Sequence, residues 1–171
     1  YELLFFKCKK LKIGNLVLGH HLDDVIENFF LRMARGSGLK GLVSLGINTR
    51  IKNINLIRPL IKFEKRDLTF LSKFIFNFHV DDPSNHDVKF NRIKIRNLIK
   101  EFNNFGLDKK KFQLTIENLK GSDQSIKFYV EKNKRENSIF YNRKVGLILK
   151  ENFFDNSREV IFRSLSDLIH L

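Results

Sequence analysis

The chain has 171 residues, is 42% hydrophobic and carries a formal net charge of +13 at pH 7. That length bounds it to one domain, or one domain and part of another, and the apolar content excludes a disordered chain. With Cys8 as its single cysteine, it excludes an internal disulfide and any metal or iron–sulfur site built on cysteine pairs within these residues.

The 32 Lys and Arg against 19 Asp and Glu point to a polyanionic partner, nucleic acid above all. One Ala, no Trp and abundant Lys, Asn, Ile and Phe also fit an A/T-biased coding sequence, which raises Lys by itself. No apolar run approaches the ~18 residues of a membrane span, and nothing resembles a signal peptide. A cytoplasmic protein without a membrane partner fits these features.

In chain order, residues 1–8 read as the end of a helix, and Leu16–Leu18 as a short buried strand. From Leu22 the apolar positions are Leu22, Val25, Ile26, Phe29, Phe30, Met33 and Ala34, the spacing of a helix with one buried stripe. On the opposite arc fall His20, Asp24 and Glu27, with Asp23 beside them. An acidic first turn suits the helix dipole and accounts for the acids alone. Paired histidines, His20 and His21, point further, to a metal or substrate site. Carboxylates suit Mg²⁺ in phosphate-transferring sites, with Asp23 and Asp24 as candidate ligands. The arc alone leaves metal binding and acid–base work both open.

The helix is expected to end near Arg35, with Gly36 in the left-handed position after it. Ile54–Arg58 read as a second strand, stopped by Pro59. Glu64 to about Asn77 read as a helix with Leu68, Leu71, Ile75 and Phe78 on one face. Strand, helix, strand, helix predicts an α/β fold with a parallel sheet, and in such folds ligands lie at the carboxyl ends of the strands. His20 and His21 stand at that end of the first strand. Asp81–Asn85 reads as a turn. A helix over about Val88–Phe105 follows, with Ile95, Leu98, Ile99 and Phe102 on its apolar side. Beside them runs a ridge of Lys89, Arg92, Arg96 and Lys100. Such like charges repel unless an anion lies along them, so phosphate contact is expected. Asn103–Gly106 reads as a domain boundary, giving domains 1–105 and 106–171. Residues 108–141 read as mainly helical and Val145–Leu149 as extended. Asn156 to Glu159 reads as a capping box opening a last helix.

Several motifs, taken together, resemble tRNA(Ile)-lysidine synthase. They are Gly19-His-His-Leu-Asp-Asp-Val-Ile-Glu-Asn28, Leu31 to Leu42, Arg58-Pro-Leu-Ile61 with Arg66, Asp82-Pro-Ser-Asn85, and Phe90 to Arg96. The resemblance covers about residues 1–100. It implies an ATP-pyrophosphatase-type nucleotide-binding domain, similar to adenine nucleotide alpha hydrolases. It also implies ATP and Mg²⁺ as cofactors, and tRNA(Ile) with a wobble cytidine and lysine as partners. The implied reaction adenylates C2 of that cytidine. The ε-amine of lysine then displaces AMP to give lysidine. Carried over by motif position, His20, Asp23, Asp24 and Glu27 form the active-site cluster, and Arg92 a phosphate or substrate contact. The sequence departs from the family at Asn28 (usually Thr), at Ile93 (usually Asn), and after Arg96, where a Pro is usual.

The family's Ser-Gly-Gly-x-Asp-Ser phosphate loop does not occur in these residues. The expectation is that the loop and first strand lie upstream of Tyr1, so that this chain alone is N-terminally truncated and inactive. Two alternatives are a non-catalytic, RNA-binding remnant and a tRNA cytidine thiolase. The thiolases share the Gly-His-His-x-Asp-Asp cluster, but the lone Cys8 argues against them.

Overall fold

The computed structural model describes residues 1–78, 80, 91–141 and 146–169. They form two compact units, Tyr1–Ile116 and Glu117–Leu171. The first begins with α1 (Glu2–Lys10), β1 (Asn15–Val17), α2 (Leu22–Met33) and a single turn, α3 (Leu39–Leu42). It continues through β2 (Asn48–Ile51), β3 (Ile54–Ile57), α4 (Lys65–Phe76), α5 (Asn91–Asn104) and the start of α6 (Lys109–Asn137).

The sheet has the order β1-β3-β2. β1 and β3 are parallel, with Leu16 opposite Leu56, as the strand–helix–strand alternation predicts. The wholly parallel expectation is corrected by β2, which pairs antiparallel with β3 through a tight hairpin at Lys52 and Asn53. Both turn residues have positive φ, 49° and 66°, as a two-residue hairpin twisted like its strands requires.

Two hydrophobic clusters hold this unit. Cys8, Ile54 and Leu56 pack with Phe5, Leu16 and Leu18, joining α1 to the sheet. Leu22, Ile26, Phe30 and Ile99 pack with Ile95, Leu107 and Phe112. In the second cluster the Phe30 ring stacks on Phe102 at 5.6 Å and on Phe112 at 5.3 Å between centroids. The α2 stripe is buried as its spacing predicts through Phe30, while Met33 and Ala34 at its end are exposed. In contrast, α4 buries none of its residues, and Leu71 and Ile75 remain exposed.

α2 ends in a paired closure. The Ser37 N–H bonds the Arg32 carbonyl and the Gly36 N–H the Met33 carbonyl, with Gly36 at φ 70°. That is the Schellman turn expected of Gly36. The same pattern closes α5, where Gly106 has φ 92° and Leu107 reaches back to Phe102. The expected boundary at Asn103–Gly106 therefore lies inside the first unit, which runs to Ile116 with Leu107 and Phe112 packed into its core.

The second unit holds most of α6, the antiparallel pair β4 (Ser138–Tyr141) and β5 (Gly146–Leu149), a 3₁₀ turn at Glu151–Phe153, and α7 (Arg158–Ile169). Asn156, expected to cap α7, turns inward instead and donates to Asn133 Oδ1 and to the carbonyls of Asn152 and Phe153. Among the described residues no helix is long and apolar enough to cross a membrane.

Candidate active site

The first turn of α2 sits at the carboxyl end of β1. His21 is its extended N-cap residue. The Leu22 N–H is taken by the Phe63 carbonyl, and the His21 N–H by the Asp24 carboxylate at 2.9 Å. These bonds satisfy donors that a helix start leaves without partners and fix the histidines and acids in place.

The four carried-over residues then separate. Asp23 turns toward α4 and α6. One oxygen accepts the Lys65 N–H at 2.8 Å, at the first turn of α4, and the other meets Lys109 Nζ at 2.6 Å. Lys109 Nζ also lies 3.4 Å from Glu64. Burial works against the charge on Asp23, but Lys109, the Lys65 N–H and His21 outweigh it and hold the carboxyl below its usual range.

His20, Asp24 and Glu27 converge. With Asn28, Leu31, Leu45 and Arg92 they line a small cavity of about 40 Å³. Glu27 is only 5% exposed, although the helical wheel places it opposite the buried stripe. The reason is α5, which packs on α2 and sets Arg96 Nε 2.5 Å from Glu27 Oε1. Burial raises the Glu27 carboxyl above its usual range, and Arg96 partly offsets that. Burial depresses His20; the positive charges of Arg58 and Arg92 add to that, while Asp24 opposes it. The neutral imidazole is therefore favoured. Its Nδ1, Glu27 Oε2 and Asn28 Nδ2 are buried without hydrogen-bond partners among the described residues. Such atoms are costly unless a ligand or water meets them.

Of the basic ridge, Arg92 is exposed and lines the cavity, Arg96 is engaged with Glu27, and Lys100 is exposed farther along α5. Lys89 lies outside the described residues, as does the Asp81–Asn85 turn. Ile93, where the family carries a polar residue, is buried, so an apolar side chain suits that position.

Asp23 and Asp24 are turned to different partners. Both Asp23 oxygens are committed to protein donors, and one Asp24 oxygen to the His21 N–H. Among the described residues no three His, Cys, Asp or Glu side chains converge as metal ligands. Sequence reasoning missed Lys109, which carries no local signal. It also missed the effect of Arg58, which is buried, bonds Gly46 O and Thr49 Oγ1 at 3.0 Å, and adds positive charge beside His20. A larger cavity, about 620 Å³, opens beside α1 near the start of β1 and β3, between Lys9, Lys12 and Lys52. It lies at the amino ends of the parallel strands, opposite to where ligands of open α/β sheets bind.

The parallel β1–β3 pair with a His- and acid-bearing helix start at its carboxyl end is an α/β arrangement with its candidate site at the strand ends. The chain belongs to the PP-loop domain family, which matches residues 1–102. It is similar to proteins named tRNA(Ile)-lysidine synthase. The one from Wolbachia pipientis wMel is 33% identical over 129 residues, 75% of this chain and 30% of that protein. That from Orientia tsutsugamushi (strain Boryong) is 39% identical over 123 residues, 67% of this chain and 27% of that protein. That from Zymomonas mobilis is 37% identical over 105 residues, 58% and 32% respectively. The chain thus spans about three tenths of the length of these relatives.

Proposed function

We propose that residues 1–116 supply the amine side of a site that joins lysine to C2 of the wobble cytidine of tRNA(Ile), in the cytoplasm and at the expense of ATP. The observation that carries this reading is the cavity bounded by His20, Asp24 and Glu27. At about 40 Å³ it has room for a few waters, at about 10–15 Å³ each on that measure, and is too small for a nucleotide. It suits the ammonium end of a lysine side chain. Its buried, unpartnered acceptor, Glu27 Oε2, is what an ammonium donor needs.

The chemistry follows from proton placement. ATP would supply the AMP that turns the cytidine C2 oxygen into a leaving group, with loss of pyrophosphate. The lysine nitrogen must be a neutral amine before it forms the C2–N bond, as the C2–O bond to AMP breaks. Asp24 and Glu27 attract the ammonium. Glu27, whose carboxyl is made a better proton acceptor by burial, and the His20 imidazole line the cavity and are the candidates to take its proton. Arg92, exposed on the cavity rim, is placed to meet a phosphate of the tRNA or of AMP. Lys100, farther along α5, extends the positive surface.

The test is product formation by the protein that carries these residues. With ATP, lysine and a tRNA(Ile) bearing a wobble cytidine, AMP release should require all three, and the tRNA should gain lysine less one water by mass spectrometry. AMP release indifferent to lysine contradicts the reading. Tight tRNA binding with no AMP release would favour an RNA-binding protein instead.

A further inference from the structure

This inference rests on the reading above and concerns the division of labour along α5. Arg92 and Arg96 stand one helical turn apart and were expected to act alike, as phosphate contacts. Their surroundings differ. Arg92 is exposed. The Arg96 side chain is 30% exposed, and its Nε donates to the Oε1 of a Glu27 side chain that is itself 6% exposed. We propose that Arg96 is a positioning residue of the amine subsite, acting through Glu27 rather than through tRNA phosphate.

The argument is geometric first. A single bond from Nε fixes one carboxylate oxygen and leaves Oε2 buried without a hydrogen-bond partner among the described residues, in a side chain that lines the cavity. Glu27 is thus held in one orientation with an acceptor in reserve. The second argument is charge. A buried carboxylate without a counter-ion neutralises itself by taking a proton, and a neutral acid attracts an ammonium poorly. The charged groups around Glu27 are Arg96 and Arg92 from α5 and Asp24 from its own helix, with His20 across the cavity. Asp24 disfavours the charged form and the arginines favour it. Arg96 is the one in direct contact, so it has the most influence on whether Glu27 stays ionised.

The experiment compares Arg96→Gln, Arg96→Lys, Arg92→Gln, Glu27→Gln and the double variant Glu27→Gln/Arg96→Gln in the protein that carries the chain. Lysine KM and kcat are measured at saturating tRNA, and tRNA affinity across a salt series. Arg96→Gln should raise the lysine KM about tenfold or more, as losing one partner of a buried charge pair does. It should leave the salt slope of tRNA binding unchanged, and Arg96→Lys should recover part of the KM. Adding Arg96→Gln to Glu27→Gln should raise the lysine KM by less than the product of the two single effects, because the two changes share one interaction. If Arg96→Gln leaves a misfolded protein, Arg96→Lys and the neutral double variant carry the comparison. An unchanged lysine KM with a salt slope reduced by about one unit, the mark of a lost phosphate contact, overturns the proposal. A parent protein with no lysine-dependent AMP release would sink the functional reading separately. The Arg96–Glu27 coupling is then decided by NMR titration of the Glu27 carboxyl. Arg96→Gln must move its midpoint upward, and an unmoved midpoint overturns the coupling.

Discussion

Each unit of this protein buries polar side chains, and they are treated in opposite ways. In the carboxy-terminal unit Asn133 is 2% exposed, and its amide is fully used. Nδ2 donates to the Phe153 carbonyl and to Ser164 Oγ, while Oδ1 accepts from Asn137 and Asn156. Four bonds are all that an asparagine side chain can usefully make. Arg163 beside it is matched by Asp123 and Glu159 at 2.6 and 2.7 Å, although its Nη2 finds no partner among the described residues. Around the α2 cavity Glu27 Oε2, His20 Nδ1 and Asn28 Nδ2 are left over among the described residues. A satisfied buried network rigidifies a fold, whereas leftover polar atoms beside a cavity cost stability unless something binds there. The difference separates a structural knot from a candidate site without appeal to residue type.

That contrast can be broken or sharpened. The largest stability effect is expected for Asn133→Ala. It removes four hydrogen bonds from a buried site, although each partner keeps a second one, and should cost about 2–4 kcal/mol in denaturant unfolding. Lysine-dependent turnover per folded molecule should not change. Next, Lys109→Met should destabilise by about 1 kcal/mol at neutral pH, since the Lys109–Asp23 pair is only partly exposed. The sign with pH follows from the depressed Asp23 carboxyl. Its contribution is complete above the unfolded value of 3.8 and is lost as pH falls through the lower folded value. The gap in melting temperature between parent and Lys109→Met should therefore be full at pH 6 and close in acid. For Arg92→Ala, a loss of about one unit from the salt slope of tRNA binding is expected. The smallest effect is at Lys12, which closes α1 with φ 54° and bonds back to Lys9. Lys12→Gly should stabilise by roughly 0.5–1 kcal/mol, because a side chain disfavours that conformation.

Much of this was legible in the sequence, and what was missed shares a cause. The α2 helix, its buried stripe and its Gly36 closure follow from local spacing and glycine conformation. β1 and β3 each fall within one residue of the expected spans. β2 escaped notice because Asn48, Thr49 and Arg50 offer little apolar pattern. Its hairpin turn, moreover, uses Lys52-Asn53 in place of the glycine that usually marks one. β4 escaped because Ser138–Tyr141 follows directly on a 29-residue helix. In the site, His20, Asp24 and Glu27 were placed together by a local motif. The burial of Glu27 depends on Arg96, 69 residues away, and the diversion of Asp23 depends on Lys109, 86 residues away. No local period encodes such contacts, so a helical wheel exposes a carboxylate that tertiary packing covers.

The central claim is that the α2 cavity, and not merely the fold, carries the chemistry. Asp24→Asn tests it most directly. Asparagine keeps an oxygen to accept the His21 N–H, so the helix start and the melting temperature should be preserved. It removes a negative charge from the cavity beside His20 and Glu27. Lysine-dependent AMP release should fall by about 10²-fold or more, the scale on which a positioned acid–base group contributes. A variant that melts like the parent and still releases AMP at the parental rate would contradict the account.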